Sequence, residues 1–195
     1  MKIAFVLGNG VSRRVVDLAD LRLHGKVYGC NALYREFTPD VLVATDKPIA
    51  EAIQKSKYAQ NNLFYTRKPI AGLGAKSLPK VYQGFSSGPN ALALASADQY
   101  NKIYLLGFDL GGNMGFFNNL YADSDFYKKS LDKPTYSGNW IKQIAKICND
   151  FPLITYTRVI GKTSADIENF KTIKNLDHMD IDQFCVMLNS KKGLL

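Results

Sequence analysis

Apolar residues in this chain gather into short runs, the first of them unbroken. The first, residues 3–7, stops at Gly8-Asn9-Gly10. Others cover 26–29, 41–44, 63–66, 102–108 and 153–159, and several close on a polar residue such as Asn31, Asp46 or Asp109. Runs of this length bounded by turn residues predict strands buried on both faces, as in a parallel sheet. Between them the apolar spacing lengthens toward the helical period. Ser12 is a natural cap for a helix over 12–20, and Pro48 suits the first turn of one reaching residue 57. Ser86-Ser87-Gly88-Pro89 opens an alanine-rich helix through residue 100. Two more are predicted over 138–149 and 181–188, the latter in a helical tail at 165–195. Residues 67–85 read as a long loop and 110–136 as an irregular insert.

Strands alternating with helices predict an α/β fold: a single Rossmann-like domain over 1–195, with a mostly parallel sheet and helices on both faces. Such sheets bind ligands outside the carboxyl ends of their strands. The hydrophobic fraction of 46% and charged fraction of 22% are those of a globular chain, not a disordered one. The opening apolar run is too short for a signal segment and no later run reaches membrane length, so no membrane span and a cytoplasmic location are expected. Cys30, Cys148 and Cys185 form no close-set pair, which points away from a disulfide framework and from zinc.

The formal net charge is +8, and residues 1–80 hold 13 Lys/Arg against 6 Asp/Glu. Lys47, Lys55, Lys57, Arg67, Lys68, Lys76 and Lys80 face the single acid Glu51. The segment 47–80 is therefore expected either to meet an anionic acceptor or nucleic acid, or to be a solvated basic face.

Several constellations could carry chemistry. Gly8, Gly10, Ser12 and Arg13 follow the first strand and open a helix, a place for a phosphate or simply a tight turn. GxGxxG would need glycine where Arg13 stands, and a P-loop ending at Lys162-Thr163 would need glycine where Tyr156 stands. Asn31 and Asp46 share the predicted edge with that turn, either as ligand contacts or as turn residues. Ser86 and Ser87 could bind a phosphate or only cap their helix. Asp109 ends the strongest strand and could hold a hydroxyl or a metal. A Ser/His/Asp triad has no support in the sequence, where His24 and His178 are the two histidines.

Taken together, three blocks resemble the bacterial sialyltransferases of glycosyltransferase family 42, and more loosely the family 29 enzymes and hydroxymethylpterin pyrophosphokinase-like proteins. Leu7-Gly8-Asn9-Gly10-Val11-Ser12 is similar to the family's AGNGPS turn, and Tyr28-Gly29-Cys30-Asn31-Ala32-Leu33-Tyr34 to its FRCNxFY segment. Phe85-Ser86-Ser87-Gly88 through Ile103-Tyr104-Leu105-Leu106-Gly107-Phe108-Asp109 is similar to its TSG, helix and IYLxGxD block.

The resemblance spans about residues 1–160 and implies a glycosyltransferase-A variant acting on CMP-sialic acid without an essential metal or cofactor. By position it implies that Asn9 and Asn31 contact the nucleotide, that Ser86, Ser87 and Gly88 contact the donor's sugar or phosphate, and that Tyr82 stands near the family's phosphate-binding tyrosines. The family's catalytic histidine has no counterpart, because no histidine occurs between Gly25 and Asp177. Asp109, Asp125 and Tyr136 are the candidate substitutes.

The leading expectation is a glycosyltransferase-like enzyme binding a nucleotide sugar and transferring it to an acceptor. The alternatives are a catalytically silent module that sequesters a nucleotide, magnesium-dependent pyrophosphate transfer from ATP around Asp46 and Asp109, and a nucleic-acid-binding protein. A homo-oligomer is compatible with each.

Overall fold

The computed structural model describes residues 2–192. It contains one eight-stranded sheet in which every neighbouring pair is parallel. Its strands are β1 (Ile3–Leu7), β2 (Lys26–Cys30), β3 (Val41–Ala44), β4 (Phe64–Thr66), β5 (Lys76–Ser77), β6 (Lys102–Leu106), β7 (Thr155–Ile160) and β8 (Leu176–Asp180). The spatial order is β5-β4-β3-β2-β1-β6-β7-β8. The chain winds outward from β1 to β5, returns to place β6 on the other side of β1, and continues outward to β8. Between β1 and β6 the winding reverses, so the loops after these two strands part and leave a crevice.

The helices are α1 (Leu18–Arg22), α2 (Lys47–Lys55), α3 (Tyr58–Asn61), α4 (Ser87–Ala97), α5 (Gly138–Asp150) and α6 (Ile181–Lys192). One apolar layer packs α4 and α5 on the sheet through Ala91, Leu92, Ile144 and Ile147 against Val6, Ile103 and Leu105. The opposite layer seats Ile49, Ile53, Phe184 and Leu188 against Phe5, Leu7, Leu42 and Leu106. Alternate residues of β1 thus enter opposite layers, and the strand is apolar throughout because neither face meets water.

Three segments differ from the sequence expectation. The helix expected over 12–20 is a 3-10 turn at Val11–Val15 followed by the separate α1. Ser12 does not cap it: Val16 is extended, and the cap of α1 is Asp17, whose carboxylate accepts from Ala19 N–H at 2.9 Å. The loop over 67–85 contains β5 and a 3-10 turn at Lys80–Tyr82. The expected helical tail holds a 3-10 turn at Glu168–Phe170 and then a strand, β8, before its helix, and three charged or imidazole side chains in five residues disguise that strand. Residues 193–195 of that expected tail lie outside the described residues. Among the described residues no helix is long and apolar enough to cross a membrane.

Candidate functional site

A cleft of about 320 Å³ opens where the winding reverses, at the carboxyl ends of the strands. Its floor is made of the turns after β1 and β6, which approach until only glycine fits. A Cβ on Gly10 would stand 2.5 Å from the Asp109 Cγ and 2.7 Å from the Gly107 carbonyl oxygen. Gly107 has φ +68°, and a Cβ there would stand 2.7 Å from the Gly8 carbonyl oxygen. Glycine is required at both for close approach, and at Gly107 for its left-handed backbone as well.

Asp109 ties this floor together. Its carboxylate accepts from Ser12 N–H at 3.0 Å, from the Ser12 hydroxyl, and from Asn118 Nδ2 at 3.0 Å. It also accepts from Thr163 Oγ1 at 2.8 Å and Ser164 Oγ at 3.0 Å. Behind it the buried Arg158 guanidinium donates to the carbonyls of Phe108 at 2.9 Å and Asp109 at 3.0 Å. Burial pulls the Arg158 pKa down to about 10, against the opposing charge of Asp109. Five donors converge on two oxygens. The Asp109 carboxylate is therefore fully occupied as the anchor of three loops and is left no free lone pair for a metal or a substrate.

One wall comes from the ends of β1, β2 and β3, supplying Asn9, Asn31 and Asp46. Asn9 is 8% exposed; its Nδ2 lies 3.4 Å from the Tyr127 hydroxyl, and its Oδ1 has no partner. Asn31 adopts φ +51° and its Oδ1 is likewise buried without a partner. Asp46 precedes α2, is exposed, and makes no side-chain cap bond. The Cys30 thiol on this wall donates to the Leu7 carbonyl at 3.5 Å, and burial pushes its pKa up to about 12, so it stays protonated.

The facing wall is the N-terminus of α4. Ser87 Oγ lies 2.9 Å from both the amide and the hydroxyl of Thr45, which fixes the helix start to the end of β3. Ser86 Oγ receives Trp140 Nε1 at 3.0 Å, and Ser86 N–H donates to Gln143 Oε1 at 2.9 Å, so α5 holds the same residue from outside. Arg67 reaches across to the carbonyls of Gln83 at 2.8 Å, Gly84 at 3.3 Å and Phe85 at 2.8 Å, bracing the approach to the helix. The insert closes the remaining side with Phe117, Asn118, Asn119 and Thr135. It is stitched to the β1 turn by Leu120 N–H on the Asn9 carbonyl at 2.8 Å and by Asn118 Oδ1 on Val11 N–H at 3.0 Å.

Of the residues singled out in the sequence, the structure gathers Gly8, Asn9, Gly10, Asn31, Asp46, Ser86, Ser87, Gly88 and Asp109 around this one cleft. It does not bring Ser12, Arg13, Tyr82, Asp125 or Tyr136 to it. Ser12 is turned toward Asp109, away from the space a ligand would fill. Arg13 is 3% exposed beneath the turn, bonded to the Gly8 carbonyl at 2.8 Å, Glu36 at 3.1 Å and the Tyr121 hydroxyl at 3.0 Å. Tyr82 bonds Asp150 at 3.0 Å, Asp125 is exposed on the insert, and Tyr136 is 74% exposed.

The sequence reading missed Phe117, Asn118, Asn119, Thr135 and Trp140 because they belong to an irregular segment and the helix after it, where no periodicity indicates a facing direction. A lone tryptophan three residues into a helix was the available signal. Among the described residues no Lys or Arg lines the cleft, and no group of three or more His, Cys, Asp or Glu is placed to hold a metal ion. Comparison of the chain with protein-family models, curated proteins and solved structures yields no match.

Proposed function

We propose that the cleft binds a nucleotide-activated sugar, a CMP-sugar by the resemblance, and that the chain is a glycosyltransferase-like enzyme passing the sugar to an acceptor hydroxyl. The observation that carries this reading is the pair of unpartnered amide oxygens on Asn9 and Asn31, on side chains lining the same cleft as the start of an eleven-residue helix. A buried acceptor without a donor costs about 1–3 kcal/mol. A ligand rich in hydroxyl or amino donors, seated between the two asparagines, offsets that cost. The opposite end of such a ligand meets α4, whose first amides and dipole favour an anion.

The absence of Lys and Arg from the lining supports one phosphate rather than three, because a triphosphate would lack a cationic partner there. Pyrophosphate transfer from ATP has less support for a second reason: of the two carboxylates it needs, Asp109 is already saturated.

For transfer, the acceptor oxygen attacks the anomeric carbon, the bond from that carbon to the phosphate oxygen breaks, and the nucleoside monophosphate leaves with the electron pair. The acceptor's proton needs a base. Asp46 is the cleft carboxylate whose oxygens are not already engaged, so it takes that role in place of Asp109, Asp125 or Tyr136. A well-placed base is worth roughly two to four orders of magnitude in rate.

Titration calorimetry against CMP, UDP, GDP and ADP tests binding, with Trp140, the only tryptophan, as a fluorescent reporter in the cleft. CMP is expected to bind and to change the Trp140 emission; no binding by any of the four removes the reading. Asp46→Asn should keep CMP affinity and lose transfer. The second reading, a silent nucleotide-sequestering module, is favoured by the lack of an imidazole on the cleft. It takes over if the wild-type chain binds a CMP-sugar and neither transfers nor hydrolyses it.

A further inference from the structure

Once the strands are in register, six of the seven cations of residues 47–80 fall into two groups, and the seventh, Lys76, begins β5 itself. Ala44 pairs with Thr66, Thr66 with Ser77, and Leu78 N–H continues the ladder onto the Thr66 carbonyl at 3.0 Å, so β3, β4 and β5 end abreast. Directly beyond those ends come Lys47 after β3, Arg67 and Lys68 after β4, and Lys80 after β5. Lys55 and Lys57 instead lie where the chain has returned through α2 to precede β4, at the amino ends of the strands.

The row starts where the cleft wall stops, since Asp46 lines the cleft and Lys47 is its neighbour. Neighbouring strands lie about 4.8 Å apart, so the row runs roughly 10 Å outward from β3 to the sheet edge. Lys47, Lys68 and Lys80 are exposed. Glu51, the only acid in the segment, stands 3.8 Å from both Lys47 and Lys55 and cannot neutralise the pair, while Lys68 and Lys80 have no ion pair among the described residues.

We propose that this row is the docking track of an anionic glycan chain, which on the reading above is the acceptor and enters the cleft past Lys47. A cleft free of cations beside a track made of them divides the recognition between the two substrates. A glycan is favoured over a single-stranded nucleic acid by the aromatic side chains of the segment. Strand-binding surfaces stack bases on exposed rings, whereas Tyr58 and Tyr65 are half-buried and Phe64 is buried. The exposed large apolar side chain of the segment is the aliphatic Ile70, and the one just beyond it, Val81, is aliphatic too. Arg67 couples the track to the site, because the same guanidinium that stands in the row braces the carbonyls leading to Ser86.

The test is fluorescence anisotropy of the full chain with a labelled heparin oligosaccharide, an uncharged dextran oligosaccharide and oligo(dT) matched to the heparin probe in charge. Lys68→Ala/Lys80→Ala is compared with Lys26→Ala/Lys55→Ala, which removes equal charge from the amino edge. Heparin binding that weakens about tenfold in the first pair, holds in the second and falls with added salt supports the track. Equal losses in both pairs, or no heparin binding, overturn it. Tighter binding of oligo(dT), lost in the first pair, overturns the glycan assignment in favour of nucleic acid. CMP binding read from Trp140 in the same samples separates the two proposals: each can fail while the other stands, and retained CMP binding also shows the variants are folded.

Discussion

Asn9 and Asp109 stand on one cleft beyond the ends of the neighbouring strands β1 and β6, and their hydrogen bonds give them opposite roles. Asp109 accepts from five donors and links the turns after β1, β6 and β7. Asp109→Asn turns one acceptor into a donor facing other donors. It is expected to cost about 3 kcal/mol of stability, seen as a lowered urea midpoint at unchanged slope. Asn9 holds one long contact at 3.4 Å and an unpartnered oxygen. Asn9→Ala is therefore expected to stay within about 1 kcal/mol of wild-type stability while CMP affinity falls at least tenfold. A large stability loss in Asn9→Ala would make that side chain part of the scaffold instead of a ligand contact. Asn9, Asn31 and Ser86 to Gly88 were legible in the sequence because each sits at a strand end or helix start, where side chains have one edge to serve. The occupied state of Asp109 was not legible, since Asn118, Thr163 and Ser164 reach it from 9, 54 and 55 residues away.

The same distinction holds among the elements. β1 and β3 are apolar along their whole length, and β6 is apolar after its opening Lys102, because helices cover both faces, and such runs announce themselves. β5 is two exposed residues and β8 is Leu-Asp-His-Met-Asp; both are edge strands, one side of which has no neighbour to demand an apolar residue. The insert carries no period at all, yet it is fastened through Tyr127, whose hydroxyl also accepts from Ala32 N–H at 3.2 Å and so joins the β1 and β2 loops. Burial raises the Tyr127 pKa, which keeps the phenol protonated while it does so. Tyr127→Phe removes both contacts without changing the ring. The expected result is a loss of about 1–2 kcal/mol with faster amide exchange across residues 117–128 and little change in β1 or β6. Uniform loss of protection throughout the sheet would show instead that the insert is part of the main folding unit.

Burial of phenols and thiols gives the entire chain a common response to alkali. Tyr58 and Tyr82 are pushed up from an ordinary value of 10.0 to about 12, by burial in both and additionally by Asp150 at Tyr82. Cys30 and Cys148 rise through burial from 9.0 to about 12. Burial raises Tyr28, Tyr121 and Tyr156 as well. In each case the native state holds the proton more tightly than the unfolded chain. The stability these groups contribute is therefore fully present below about pH 9 and is lost as pH rises toward 12. Each group ionised only in the unfolded chain steepens the decline by about 1.4 kcal/mol per pH unit. Urea midpoints should thus hold steady between neutrality and about pH 9 with respect to these groups and then fall with growing slope. Because the rings belong to both layers of the sheet, phenolate absorbance from the buried tyrosines should appear together with the loss of helical circular dichroism. Ionisation of those tyrosines near pH 10 with the helical signal intact would mean that the two layers open to water separately, and that the sheet does not hold them as one cooperative unit.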